Sequence, residues 1–252
     1  MRMFKLIVSL LIIFAIYCYF IFPSFAETSV PVWSSGQEPL EEVDSDIGSI
    51  TNDNNSLNLE SASAILIEQS TGQVLYAHNI HEQLRPASVT KVMSILLIME
   101  ALDSGKINLT DQVPCSENAA SMGGSQIWLD PRETLSVDDM LKAICVNSAN
   151  DCVVAMAEFI AGSEEAFVQM MNDKAKELGM NDTTFKNCHG LDEDGHVTSS
   201  YDIALMSKEL LSNHPNVTKY TTIWMDTLRG GKSQLSNTNK LIKKVIINKT
   251  KK

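Results

Sequence analysis

Arg85-Pro86-Ala87-Ser88-Val89-Thr90-Lys91-Val92-Met93-Ser94-Ile95-Leu96-Leu97-Ile98-Met99 is the stretch on which the reading of this 252-residue chain turns. Pro86 and Ala87 put Ser88 at the entrance of a helix, because proline fixes a backbone angle suited to a first turn. Residues 88–102 are apolar nearly all round, and a helix of that kind must be buried on most of its sides. Lys91 is then out of place, for a lysine one turn into an apolar helix has no obvious solvent face. Ser88 precedes it by three residues on the same helical face, so the amine can reach the hydroxyl.

A serine hydroxyl is a poor nucleophile until a base takes its proton, and lysine serves as that base only when neutral. Partial burial, a second nearby cation and the positive end of the helix all disfavour the ammonium form. The same helix end can steady an oxyanion. As a pattern, S-x-x-K is weak, since about one match arises by chance in a chain this long. In isolation it reads as a capping serine followed by a solvated lysine. Pro86 and the apolar neighbours of Lys91 count against that reading.

Upstream, Ala64-Ile65-Leu66-Ile67 and Gln73-Val74-Leu75-Tyr76-Ala77 flank Ser70-Thr71-Gly72, which predicts a β-hairpin. Downstream, periodicity predicts helices over 137–145, 152–160, 164–178 and 200–211, with Gly162 and Gly179 at expected stops, then a strand over 221–228. Hairpin, buried helix, helical block and strand together predict a mixed α/β (α+β) fold with a helical insertion in a sheet-based domain.

The ends differ in character. Arg2 and Lys5, an apolar run over 6–22 and then Pro23-Ser24-Phe25-Ala26 read as a signal peptide cleaved after Ala26, or as an N-terminal anchor. Either way the remainder is expected outside the cytoplasm, on the outer face of the cell membrane or secreted, with the membrane touched only through an uncleaved leader. Residues 27–60 hold acidic and small polar side chains and no Lys or Arg, the composition of a disordered linker. The catalytic domain is expected over 61–242, and the abruptly basic residues 243–252 read as a tail outside it.

A net charge of -11 makes a nucleic-acid surface improbable. Cys115, Cys145, Cys152 and Cys188 show no C-x-x-C pair and read as free, partly buried thiols. The five histidines lack ligand spacing, so a metal is not expected.

A second constellation, Ser148-Ala149-Asn150, falls between two predicted helices. The Ser148 hydroxyl could relay a proton between Lys91 and a leaving amine, while the Asn150 amide could hold a peptide carbonyl or orient Lys91. Helix capping is the ordinary reading of such residues.

S-x-x-K followed by S-x-N is the order found in penicillin-binding proteins and class A β-lactamases, where a K-T-G comes later. The text around these motifs resembles the low-molecular-weight, penicillin-binding D-alanyl-D-alanine carboxypeptidases. The resemblance is carried by Ser70-Thr71-Gly72-Gln73-Val74-Leu75, Arg85-Pro86-Ala87-Ser88-Val89-Thr90-Lys91, Asn187-Cys188-His189-Gly190-Leu191-Asp192 and Asn237-Thr238-Asn239-Lys240-Leu241. It implies removal of the terminal D-alanine from peptidoglycan stem pentapeptides through an acyl-enzyme on Ser88, with Lys91 and Ser148 catalytic and Asn150 binding substrate. It also implies a β-lactamase/transpeptidase-like sheet flanked by helices, with an inserted helical lobe as the other wall of the cleft, that β-lactam antibiotics inhibit, and that no cofactor takes part. His189 reads as a loop-packing residue, and Trp128 as either cleft wall or core.

The chain departs from that family at Lys249-Thr250-Lys251, where lysine replaces the glycine of K-T-G and would crowd a strand edge. A C-terminally truncated domain lacking its last strands is the expectation, which keeps an inactive peptidoglycan-binding module as an alternative. A class A β-lactamase is disfavoured by Ala149, where that family has Asp.

Overall fold

The computed structural model describes residues 59–243. The leader, nearly all of the 27–60 linker and all but the first residue of the basic tail lie outside the described residues. Strands β1 (Ala64–Ile67) and β2 (Val74–His78) form the expected hairpin, pairing Ile65 with Ala77 and Leu66 with Tyr76. A 3-10 turn at Ala87–Thr90 then leads into α1 (Lys91–Asp103). Next come β3 (Gln112–Pro114), the short α2 (Glu117–Ala120), β4 (Thr134–Ser136), α3 (Val137–Asn147), α4 (Asn150–Ala161) and α5 (Glu164–Glu177). After a long irregular segment follow α6 (Ser200–Asn213), the short α7 (Thr218–Thr221), β5 (Met225–Leu228) and β6 (Ser233–Ser236).

The class is the mixed one the sequence predicts. Among the described residues the strands form three separate two-stranded antiparallel ladders, β1 with β2, β3 with β4 and β5 with β6. The predicted strand over 221–228 is corrected at its start, because Thr221 closes α7 and only Met225–Leu228 is extended. Its β-branched threonines suited a strand, but the Thr222 amide donates to the Thr218 carbonyl and holds a helical turn.

Helix α1 organises the core. Met93, Leu96 and Ile98 are wholly buried, and α1 packs against α4, α5 and α6. Each such side chain contributes roughly 1.5–3 kcal/mol by leaving water, so burial rather than helix propensity holds α1 in place. Serine side chains cap the surrounding helices: Ser136, Ser163 and Ser199 each accept a backbone N–H from three residues on. Gly162 closes α4 in the left-handed region.

The irregular residues between α5 and α6 are folded back into the protein, so their polar groups need internal partners. Asn172 supplies two, accepting from the Phe185 amide and donating to its carbonyl at 2.9 Å each. Leu84 and Thr198 exchange two backbone hydrogen bonds, which fastens the approach to Ser88 onto this segment.

Candidate active site

Ser88 is exposed in the 3-10 turn, and Lys91, the first residue of α1, is 3% exposed beneath it. The tighter turn ahead of α1 is a local departure from the predicted helix start, yet it leaves the two side chains on one face. Lys91 Nζ lies 3.4 Å from Ser88 Oγ and donates at 2.6 Å to the His189 carbonyl oxygen. Burial pushes the lysine down to about 8, opposed by a weaker interaction with Cys188. Desolvation, one of the three causes the sequence suggests, is therefore the largest influence on the lysine.

Residues 187–191 form the floor under this pair. The Asn187 side chain accepts from the Gly190 amide at 2.7 Å and donates to the Leu191 carbonyl at 2.9 Å, which bends the loop tightly. At Gly190, where φ is 89°, a Cβ would stand 1.9 Å from the Ala87 carbonyl oxygen. Only glycine lets the loop come this close to the turn bearing Ser88. Ala87 itself has φ of 46°, an uncommon conformation for a residue with a side chain.

His189 is buried, and its Nδ1 accepts from the Leu191 amide at 3.1 Å, which places the proton on Nε2 beside Glu164. Burial lowers its pKa, partly opposed by Glu164. It packs the loop, and it presents its carbonyl rather than its ring to Lys91. His196 is a partner that the sequence did not reveal. Its Nδ1 accepts from the Lys186 amide at 2.9 Å, so Nε2 carries the proton to Thr90 Oγ1 at 2.7 Å, inside the S-x-x-K turn. Arg85 pairs with Asp192 in the same way, joining two of the stretches that carry the family resemblance. These partners are about a hundred residues apart, and nothing local in the sequence signals them.

Ser148 ends α3 in the left-handed region, with φ of 56°. It is half-buried, and its hydroxyl forms no hydrogen bond among the described residues, so it is not joined to Ser88 or Lys91. Asn150 opens α4 and is buried; its Nδ2 donates to the Gly123 carbonyl and its backbone N–H to that of Ser125, both at 2.7 Å. Its Oδ1 is buried without a partner. A Cβ on Gly124 would sit 2.8 Å from Asn150 Nδ2 and 3.5 Å from Leu191 Cδ2, so the Asn150 amide borders the loop beneath Ser88. Helix capping, the ordinary reading of this tripeptide, does not describe it: Ala149 holds the N-cap position, and no side chain caps α4.

Next to Asn150, the fully buried Asp151 accepts from the amides of Ile127 and Leu129 at 3.1 Å each and from Cys152 at 2.9 Å. It fixes the loop over 123–129 against α4. Trp128 in this loop is exposed, which excludes it from the core. Asn237, in the other quoted motif, is structural: its Nδ2 donates to Ile223 O and its backbone N–H to Trp224 O.

The four cysteines among the described residues are free thiols, as their spacing predicts; burial drives Cys145 up to about 12 and Cys115 up to about 11. A cavity of about 250 Å³ opens near the far end of α1, lined by Met99, Leu102, Ile107 and Tyr220. Eleven residues of helical rise put Met99 about 17 Å from Ser88, so that cavity is not where a Ser88 substrate sits.

A family profile described as D-alanyl-D-alanine carboxypeptidase matches residues 50–251. The D-alanyl-D-alanine carboxypeptidase DacF of Bacillus subtilis is 58% identical over 187 residues, covering 73% of this chain and 48% of that protein. Penicillin binding protein 5 from Haemophilus influenzae superposes with a TM-score of 0.70 at 31% identity, over 74% of this chain and 54% of that one. Penicillin-Binding Protein D2 from Listeria monocytogenes, solved in an ampicillin-bound form, gives 0.66 at 30% identity, over 75% and 76%. The chain spans about half the length, or less, of the curated relatives it matches.

Proposed function

The chain belongs to the D-alanyl-D-alanine carboxypeptidase family, and from that premise we propose that it is a serine-type carboxypeptidase releasing the terminal D-alanine from peptidoglycan stem pentapeptides. The observation that carries this reading is the buried Lys91 amine held 3.4 Å from the exposed Ser88 hydroxyl. Neutral Lys91 takes the Ser88 proton as Oγ attacks the carbonyl carbon of the penultimate D-alanine, and negative charge collects on that carbonyl oxygen.

Collapse of the tetrahedral intermediate breaks the peptide C–N bond. The proton on Lys91 passes to the departing amine, which leaves as D-alanine; Ser148, not joined to Lys91 in the free protein, serves as relay only once substrate bridges the two. Water then adds to the Ser88 ester, with Lys91 again taking a proton, and the shortened stem departs. Asn150 offers substrate the second proton of its side-chain amide, since Gly123 already holds the first. β-Lactams would enter by the same attack and remain as esters, a behaviour in keeping with the ampicillin-bound relative. The leader-like N-terminus supports work on the outer face of the membrane.

The test is release of free D-alanine from a soluble peptide ending in D-Ala-D-Ala, for the wild-type chain and Ser88→Ala. Release that depends on Ser88 supports the proposal. Peptide binding without release would identify a non-catalytic wall-binding module instead, and rapid turnover of penicillin a β-lactamase.

A further inference from the structure

Trp128 is 77% exposed, while its neighbours Ile127 and Leu129 are buried. Its backbone has φ of 61°, a left-handed conformation that bulky side chains rarely adopt. Two charged residues from elsewhere in the fold hold it there. Asp151 accepts from the N–H groups of Ile127 and Leu129, and Arg229 donates to the carbonyls of Ile127 at 3.1 Å and Trp128 at 3.3 Å. Four backbone groups around one residue are thus fixed by a buried carboxylate and a guanidinium. The result is an indole turned into solvent, with no hydrogen-bond or ring partner among the described residues. A strained residue over-determined by its surroundings is the pattern of a ligand-contacting position.

The indole borders an open cavity of about 560 Å³ whose other walls are Asp130, Arg132, Glu133 and Arg229. These four charges are paired two by two: Arg132 with Asp130 at 2.9 and 3.0 Å, and Arg229 with Glu133 at 2.5 and 2.7 Å. Paired charges exert little pull on an ion but leave planar donors and acceptors beside an aromatic face. A protein hot spot would need an apolar surround that excludes water, and this rim is charged and open. A neutral, polyhydroxylated ring satisfies both features, with its C–H face on the indole and its hydroxyls on the carboxylate and guanidinium edges.

We propose that Trp128, with Asp130 and Arg132, forms a saccharide subsite that holds a pyranose of the glycan strand carrying the stem peptide. The ligand's identity rests on the carboxypeptidase reading above. The loop that displays Trp128 also gives its Gly123 and Ser125 carbonyls to Asn150, so sugar and stem would be held by one rigid unit.

The probe is chitotetraose, titrated into full-length protein carrying Trp33→Phe and Trp224→Phe, so that Trp128 alone reports by fluorescence. A saturable change with half-saturation on the order of 1 mM is expected. By calorimetry on the otherwise wild-type chain, Trp128→Ala is expected to weaken binding by about tenfold or more, and the exposed Arg132→Ala by about threefold. Arg132→Ala keeps the test valid should Trp128→Ala fail to fold. Absence of saturable binding, binding indifferent to both substitutions, or Trp128-dependent self-association in place of sugar binding would each overturn the subsite. Penicillin labelling of Ser88, measured on the same sample, reports separately on the carboxypeptidase reading: sugar binding without labelling would keep the subsite and remove the enzyme.

Discussion

The Lys91 ammonium position lies 2.6 Å from the backbone carbonyl oxygen of His189, so the group proposed as base is tethered by a residue 98 positions away. That tether aims Nζ without placing a compensating charge beside it. The lysine is therefore both held in position and poised to lose its proton.

Acylation should follow that poise. With Lys91 brought down to about 8, about a tenth of it is neutral near pH 7. The rate of penicillin acylation should rise about tenfold per pH unit below that value and level off above it. A rate flat from about pH 6 to about pH 9 would remove Lys91 as the base.

Lys91→Ala is expected to lower acylation by about 10³-fold or more while leaving stability within about 1 kcal/mol. Two opposing effects keep the balance small. Below its folded pKa, burying the charged lysine costs roughly 3 kcal/mol, a cost that fades between that pKa and the unfolded value. Its removal relieves this but leaves a cavity and an unpaired His189 carbonyl, at a similar total cost of about 2–4 kcal/mol. Acylation kinetics and urea denaturation of the same variant check both halves.

Gly190→Ala drives a methyl group into the Ala87 carbonyl, and a destabilisation of more than about 3 kcal/mol is expected. At Gly162 the conformation is also left-handed but the space is open, so Gly162→Ala should cost only about 1 kcal/mol. Equal denaturation midpoints for the two variants would show that the loop does not press on the Ser88 turn.

His189 and His196 are both buried in the neutral form, with pKa values lowered first by desolvation. Their unfolded forms take up protons more readily, so what these two histidines contribute to stability should be constant above about pH 6.5 and fall as the pH drops below it. His196→Gln should flatten that acid slope in urea melts. An unchanged slope would place the proton uptake elsewhere.

Much of this fold was legible because its strongest signals are local. The apolar run after Lys91 demanded burial, and Ser70-Thr71-Gly72 demanded a turn. Boundaries moved where tertiary contacts overrode propensity: α4 begins at Asn150, two residues earlier than its periodicity indicates, because the Asn150 N–H and the Asp151 carboxylate engage the loop over 123–129. At the site, three-residue spacing and the apolar neighbours of Lys91 together brought Ser88 and Lys91 forward, and their side chains do meet, 3.4 Å apart. The Thr90–His196, Lys91–His189 and Arg229–Glu133 contacts span 96 to 106 residues and leave no periodic trace. Nor could sequence alone choose between wall and core for Trp128, since an indole suits either until Asp151 and Arg229 fix its backbone.

Mass-spectrometric location of a fluorescent penicillin adduct bears most directly on the proposed chemistry. The adduct should sit on the peptide containing Ser88, should be absent from a folded Ser88→Ala chain, and should form only slowly on Lys91→Ala. An adduct on another residue, or undiminished labelling of folded Ser88→Ala, would contradict the assignment of the Ser88 hydroxyl as nucleophile.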